Sequence, residues 1–394
     1  MSPYRICTGI VLALVVLELV KKKQADIPNE LLLFLLFLIG TSLIGINTRN
    51  LSVYIQYLFL SCLAVIIYNL LKIVQLRQRD FNILMYLLIV IGCIGGLTLL
   101  TDYYQLTQFS LLFGKEIYKE SLSGRGAGLL GGEANLTAAR LVALLPFGLY
   151  LLFSSKKWGI NKIVVFFMAS IILFAIILTG SRMGILALCQ IILFTMIYEM
   201  RKAKLGMRIS LVVGFIGLIT VLFLSFGLIK DKKSQSRFES LGSITDLNKI
   251  SYTNYDMDES LVERFLLMWV GVDLIRKNPI WGIGIGNAKY MPQKYLPTID
   301  KINYLHNTYL DVGSENGIPM LLILIMFLGW ILVSLFKKRT HIEHDFYFYF
   351  SLGFWILMFC WFFLSDFSNK LFWNLFLPLA MYLIKKPNPE VTFD

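Results

Sequence analysis

Histidine, cysteine and charge are all scarce in this chain, and each scarcity excludes something. Three histidines and five cysteines in 394 residues leave little from which to build a metal centre. Cys7, Cys62, Cys93, Cys189 and Cys360 all fall inside apolar runs and form no C-x-x-C pair, so neither a disulfide framework nor a zinc site is expected. They read as small hydrophobes. Charged residues make up 16% of the chain, against about 25% in a soluble domain. What replaces them is apolar: 57% of the chain, about 225 residues. At about 20 residues per crossing, that supplies roughly eleven membrane-spanning helices. A mean hydropathy of +0.69 agrees. An ordinary soluble enzyme is excluded, as are disordered, collagenous and disulfide-rich secreted chains.

Uniformly apolar runs are found at Ile6–Val20, Leu31–Ile46, Leu51–Val74, Phe81–Leu100, Leu136–Phe153, Ile160–Leu178, Met183–Met200, Ile209–Ile229, Ile318–Phe336, Phe346–Leu364 and Leu371–Ile384. Their uniformity excludes the alternation of a membrane β-barrel, so the expected fold is all-α and polytopic, with about eleven transmembrane helices. The first run lacks a small-residue cleavage site and meets Lys21-Lys22-Lys23, a stop-transfer pattern, and is read as retained. Six alternate loops carry Lys21–Lys23, Lys72/Arg77/Arg79, Lys156/Lys157/Lys162, Arg201/Lys202/Lys204/Arg208, Lys337/Lys338/Arg339 and Lys385/Lys386, which together hold 18 of the 37 basic residues. The short loops of the opposite set hold only Arg49, Arg182 and Lys370. By the positive-inside rule the N-terminus lies outside and the C-terminus in the cytoplasm. The net charge of +12 is thus largely an orientation signal, and no nucleic acid is implied.

Two outer segments exceed a turn: Thr101–Asn135 and Lys230–Gly317. Loops of such length are usually functional or disordered, and the second is not of low complexity. The expected organisation is a transmembrane region over 1–229 with about eight spans and the outer loop 101–135. A large extracytoplasmic loop over 230–317 follows, then a second transmembrane region over 318–394 with about three spans and a short cytoplasmic tail.

The large loop contains Ser260-Leu-Val-Glu263, a capping box, so a helix is expected to start there. Leu261, Phe265, Met268, Val272 and Ile275 follow at helical spacing, and Asn278-Pro279 ends the run. Arg264 falls in the first turn, where the helix dipole disfavours a cation. It is either a surface arginine paired with an acidic neighbour or an anion-binding group. Trp281-Gly-Ile-Gly-Ile-Gly286-Asn287 has the wrong spacing for a dinucleotide fingerprint and reads as a connection that lets backbone approach a ligand or another helix. Asp256-Met-Asp258 reads as solvated loop acids. His341 and His344 sit in the basic cytoplasmic loop. His306, in Leu305-His306-Asn307-Thr308-Tyr309-Leu310, faces outward just before the chain re-enters the membrane, and an imidazole at a helix start tends to remain neutral and able to accept a proton. Arg182, in Thr179-Gly180-Ser181-Arg182, stands at the outer boundary, where it either snorkels or holds a phosphate at headgroup depth. Arg125, in Gly124-Arg125-Gly126-Ala-Gly128, and Arg140, inside the next apolar run, are weaker versions of that signal.

Several arginines, one histidine and nearby hydroxyls on an outward loop suit a lipid-borne anionic substrate. Outside the cytoplasm neither ATP nor sugar nucleotides are at hand, so an activated donor must arrive on a lipid diphosphate. Thr179-Gly-Ser-Arg182-Met-Gly184, then Glu263-Arg264 with Trp269, Pro279 and Gly282-Ile-Gly284, then Leu305-His306-Asn307-Thr-Tyr309-Leu310 with Glu315-Asn316-Gly317, occur in an order that resembles the O-antigen ligase and surface polysaccharide polymerase superfamily of bacterial envelopes. The stretch from Arg125 to Asn135 is similar to a looser arginine and asparagine element there.

The resemblance implies a GT-C-like membrane glycosyltransferase of the bacterial inner membrane, with its active site facing the periplasm or cell exterior. It implies an inverting transfer, with neither metal nor cofactor, of a glycan from undecaprenyl diphosphate to an acceptor hydroxyl. By motif, His306 would be the general base, and Arg264 and Arg182 would bind the diphosphate. Arg125, Asn135, Arg140, Asn307 and Glu315 would contribute to substrate binding, with Glu315 placed to orient His306 or the turn after it. Pro319 departs from the family pattern, where glycine is commoner.

A polymerase would join repeat units, and a ligase would deliver the chain to lipid A-core. The loops offer nothing pointing to lipid A-core, which leans the reading to a polymerase, for which a chain-length regulator is a natural partner. A transporter or flippase of lipid-linked sugars is the rival from another class; it would be expected to show internal repeats, and none relates the two halves.

Overall fold

A computed structural model describes residues 40, 51–76, 78–109, 128–131, 133–153, 162–202, 259–295, 304–338, 344–367 and 369–385. Among these residues all regular structure is helical. The helices are α1 (Leu51–Val74), α2 (Gln78–Tyr103), α3 (Ala134–Phe153), α4 (Lys162–Leu178), α5 (Arg182–Lys202), α6 (Glu259–Lys277), α7 (Thr308–Lys337), α8 (His344–Cys360) and α9 (Leu377–Lys385), the last preceded by a π-helical turn, Phe372–Phe376. Five of them, α1, α2, α3, α5 and α7, are long and apolar enough to cross a membrane, and Lys162–Leu178, Asp345–Cys360 and Phe372–Ile384 are shorter apolar helices. Eight of the eleven expected spans therefore fall on helices, and the other three, at 6–20, 31–46 and 209–229, lie outside the described residues except for residue 40. The chain is an all-helical, multi-pass membrane protein.

The helices gather into two compact units, one of Met1–Phe81, Arg264–Tyr347 and Ser365–Asp394, the other of Asn82–Glu263 and Phe348–Leu364. In the second unit α3, α4 and α5 pack through small residues. A side chain added at Gly184 would stand 2.9 Å from the Ala138 Cβ, and one at Gly148 would meet Ile89 at 2.7 Å. Close approach of this kind is how helices associate where lipid competes on equal terms with side chains. Two polar pairs join helices inside the unit: the Tyr349 hydroxyl donates to Glu199 Oε1 at 2.9 Å, and the Trp355 indole to Gln190 Oε1 at 2.9 Å.

The first unit is organised around a break in α7. Gly317 has φ 81 and ψ 168, non-helical values that divide the helix. Such a break strands backbone groups, each of which costs several kcal/mol if left unpaired in an apolar setting. Here the segment after α6 takes them up. The Ile318 amide donates to the Pro279 carbonyl at 2.7 Å, while the Ile283 and Gly284 amides donate to the carbonyls of Ser314 and Glu315 at 2.8 and 3.0 Å. Two glycines make this proximity possible. A Cβ on Gly317 would strike the Ile280 carbonyl, and one on Gly282, whose φ is 64, would strike the Glu315 carbonyl. The glycine-rich stretch thus approaches another helix. Pro319 falls in the first turn after the break, where a missing N–H removes no helical bond. The departure from the family pattern leaves the span intact.

The α6 helix starts at Glu259, one residue before the expected cap Ser260, and ends before Asn278-Pro279. Its buried face does not carry the whole apolar series read from the sequence. Leu267, Val270 and Leu274 are buried, whereas Phe265 and Val272 are exposed. Both faces of the helix are apolar, so periodicity alone could not choose between them.

Gly317→Ala should lower the midpoint of thermal unfolding in detergent, because the conformation there is nearly reserved for glycine and forcing it costs on the order of 1–3 kcal/mol before the clash is counted. Gly329→Ala, where the added methyl meets open space, is the control. Equal midpoints for the two variants would contradict the account of the break.

Candidate functional site

His306 stands immediately before α7, in a turn held from several sides. Asn307 is the N-cap, with its Oδ1 accepting from the Leu310 amide at 3.0 Å. Thr308 Oγ1 accepts from the Asp366 amide at 3.0 Å. Leu305 is fully buried in a cluster with Val270, Leu274 and Ala288, with Leu310 packed beside it. Gly271 admits this packing, since a Cβ there would lie 3.0 Å from Leu305 Cδ1. The Leu305 amide donates to the Asp311 carboxylate. Between these clamps His306 takes φ 53, the left-handed region that non-glycine residues enter rarely. Strain of this kind persists only where the surroundings impose it, and it concentrates at functional sites.

Arg264 and His306 belong to the same compact unit, and their charges interact. The His306 imidazole is pushed down from its ordinary 6.5 to about 4, first by burial and second by the positive charge of Arg264. The imidazole is therefore neutral at physiological pH, as its place at a helix start suggested, but the causes are desolvation and a neighbouring cation. Between pH 6.5 and about 4 the unfolded chain binds a proton that the folded chain refuses, so this histidine withdraws stability as pH falls through that window.

Glu315 is buried, and its Oε1 accepts from the Ala288 amide at 3.2 Å, with the Gly286 amide also donating to the carboxylate. It therefore orients the glycine-rich stretch, a third partner beside the two expected. Asn307 commits its side-chain oxygen to the helix cap. Asp311 was not singled out from the sequence; an acid in the first turn of the helix after His306 was the signal that pointed to it.

Arg182, Asn135 and Arg140 belong to the other unit. Thr179 closes α4 by donating to the Ile176 carbonyl, and Ser181 Oγ accepts from the Gly184 amide at 3.3 Å, capping α5. The hydroxyls beside Arg182 thus build the turn, and Arg182 becomes the first residue of α5, half-buried at the positive end of the helix dipole. Arg140 donates to the Leu130 carbonyl, fixing the short turn Gly128–Gly131. Asn135 is half-buried in the first turn of α3. Arg125, Asp256, Asp258 and His341 lie outside the described residues, as do the side chains of Ser260 and His344.

In chain labelled at histidine, the His306 resonance should titrate near pH 4. Arg264→Gln should raise that value yet leave it below 6.5, because burial is the larger cause. NMR of the three imidazoles across pH reads this directly, with His341 and His344 as internal references. An unmoved His306 titration would remove the electrostatic link between the two residues.

Residues 167–325 match a family model described as O-antigen ligase. That segment includes Arg182, Arg264, His306, Asn307 and Glu315, while Arg125, Asn135 and Arg140 precede it. No curated protein matches the chain. Over residues 167–325 the chain is thus similar to the O-antigen ligase family.

Proposed function

We propose that the protein is an inverting, metal-independent glycosyltransferase of the extracytoplasmic face, moving a glycan from undecaprenyl diphosphate to an acceptor hydroxyl. The observation that carries this reading is the pair Arg264 and His306: a cation acting on a neutral, partly buried imidazole held in a strained turn, within the segment that matches the family. His306 takes the proton of the acceptor hydroxyl as its oxygen attacks the anomeric carbon. The bond from that carbon to the diphosphate oxygen breaks, and the electron pair leaves with undecaprenyl diphosphate. Arg264 grips the diphosphate and stabilises the charge that develops on it; the resemblance assigns Arg182 the same kind of phosphate contact.

A base with a resting value near 4 is poorly matched to neutral pH. Substrate reduces this mismatch. An anionic diphosphate against Arg264 offsets the guanidinium charge and raises the proton affinity of His306 when the acceptor is in place. Between the two outcomes of this chemistry, we favour joining of repeat units, a surface polysaccharide polymerase, over attachment to lipid A-core. Donor chemistry is shared by both.

His306→Ala and Arg264→Ala should each lower glycan transfer by at least about 10²-fold, the scale of a lost base or charge contact, while the protein inserts normally and the lipid-linked donor accumulates. Accumulated single units mark a polymerase, and complete unattached chains mark a ligase. Normal transfer by the His306→Ala protein would sink the catalytic assignment. Purified protein should also keep its activity in a strong chelator; a reproducible requirement for a divalent ion would overturn the metal-independent mechanism.

A further inference from the structure

We infer that the outward apolar face of α6, together with the Ile280–Trp281 turn that follows, rests in the lipid leaflet. The helix and turn then form an interfacial anchor that holds this segment at headgroup depth. The reading concerns where the segment lies and stands without the catalytic role of His306.

Two opposite faces of α6 are apolar. Leu267, Val270 and Leu274 on one face are buried, and the latter two join the cluster around Leu305. On the other, Phe265, Trp269 and Val272 recur at spacings of four and three and are 52%, 57% and 38% exposed. Ile280 and Trp281, just past the helix, are 59% and 67% exposed. Five large exposed apolar side chains, two of them tryptophan, are more than a surface facing water normally carries.

What covers it is indicated by its position. The Pro279 carbonyl accepts from the Ile318 amide, and the Ile280 carbonyl sits directly against Gly317, so the turn lies beside the first residues of a membrane-crossing helix. That helix exposes Ile318, Leu322, Ile325 and Met326, the residues it offers to lipid. Ile280 and Trp281 extend this lipid-facing surface to the membrane boundary, where tryptophan is enriched because its ring is apolar and its N–H is wet. Arg276 continues the Phe265, Trp269, Val272 face by four residues and is exposed, a cation suited to lipid phosphates at the end of an apolar face. A soluble glycan would require hydrogen-bonding groups among these positions, and Phe265, Val272 and Ile280 have none to give.

The test places a nitroxide on the full-length chain in nanodiscs of phosphatidylethanolamine and phosphatidylglycerol, after Cys7, Cys62, Cys93, Cys189 and Cys360 have been replaced by serine. Labels at Trp269→Cys, Val272→Cys and Trp281→Cys should collide with oxygen in preference to a water-soluble nickel chelate. Their oxygen-to-nickel ratio should be several-fold above that of Lys277→Cys on the polar flank. Nickel accessibility equal to that at Lys277→Cys would overturn the proposal in favour of a surface facing water or a soluble glycan. Protection from both reagents would overturn it in favour of a protein partner or a second copy. A measurement in the unlabelled chain guards against labelled variants that fail to fold. Lipids brominated high on the acyl chain should quench a larger share of tryptophan fluorescence in the parent than in Trp281→Phe, and equal quenching counts against the anchor.

Discussion

Everything in the first unit depends on how the backbone released at Gly317 is satisfied. A helix entering lipid can break only where something else takes up its stranded amides and carbonyls. The segment 279–288 does so with main-chain bonds to Ser314, Glu315 and Ile318, and with the Ala288 amide on the Glu315 carboxylate. These contacts tie the end of α6 to the start of the membrane span, and therefore fix the helix that carries Arg264 against the helix that follows His306. Glycine at 282 and 317 is what allows two backbones to approach so closely. Evolution of a binding loop elsewhere would leave this contact untouched; a side chain at either glycine would push the two helices apart.

The same arrangement explains the state of His306. Leu305 is drawn into the core beside Gly271, and Asn307 is spent on the cap, so the residue between them is forced into the left-handed region. The imidazole then sits where water is partly excluded and a guanidinium is near. Either influence alone favours the neutral form, and they act in the same direction. The imidazole is thus kept unprotonated by the packing that positions it.

Much of this was legible in the sequence because hydropathy and charge report on the membrane directly. The spans that became α1 to α5 and α7 and the bounds of α6 all rest on local patterns. What was illegible depends on partners distant along the chain. Glu315 meets an amide 27 residues before it, and Arg140 turns back to the Leu130 carbonyl. Neither pairing leaves a periodic trace. The buried face of α6 was illegible for a different reason. Spacing marks an apolar face only by contrast with a polar one, and this helix has apolar residues on opposite sides.

That failure of contrast is itself informative about the environment. A helix in water on one side and protein on the other shows one apolar stripe, whereas a helix between protein and lipid needs two. In α7 both the buried set, Leu324, Phe327, Leu328 and Ile331, and the exposed set, Leu322, Ile325 and Met326, are apolar, as a membrane span requires. The α6 helix shares this two-faced pattern but retains Glu263, Arg264, Asp273, Arg276 and Lys277, too many charges to cross. Apolar on two faces and charged along the flanks, it satisfies a boundary rather than either bulk phase. The lipid diphosphate proposed as donor, with its tail in the bilayer and its charge at the surface, would present that charge at the same depth, where a fixed arginine on such a helix is most effective.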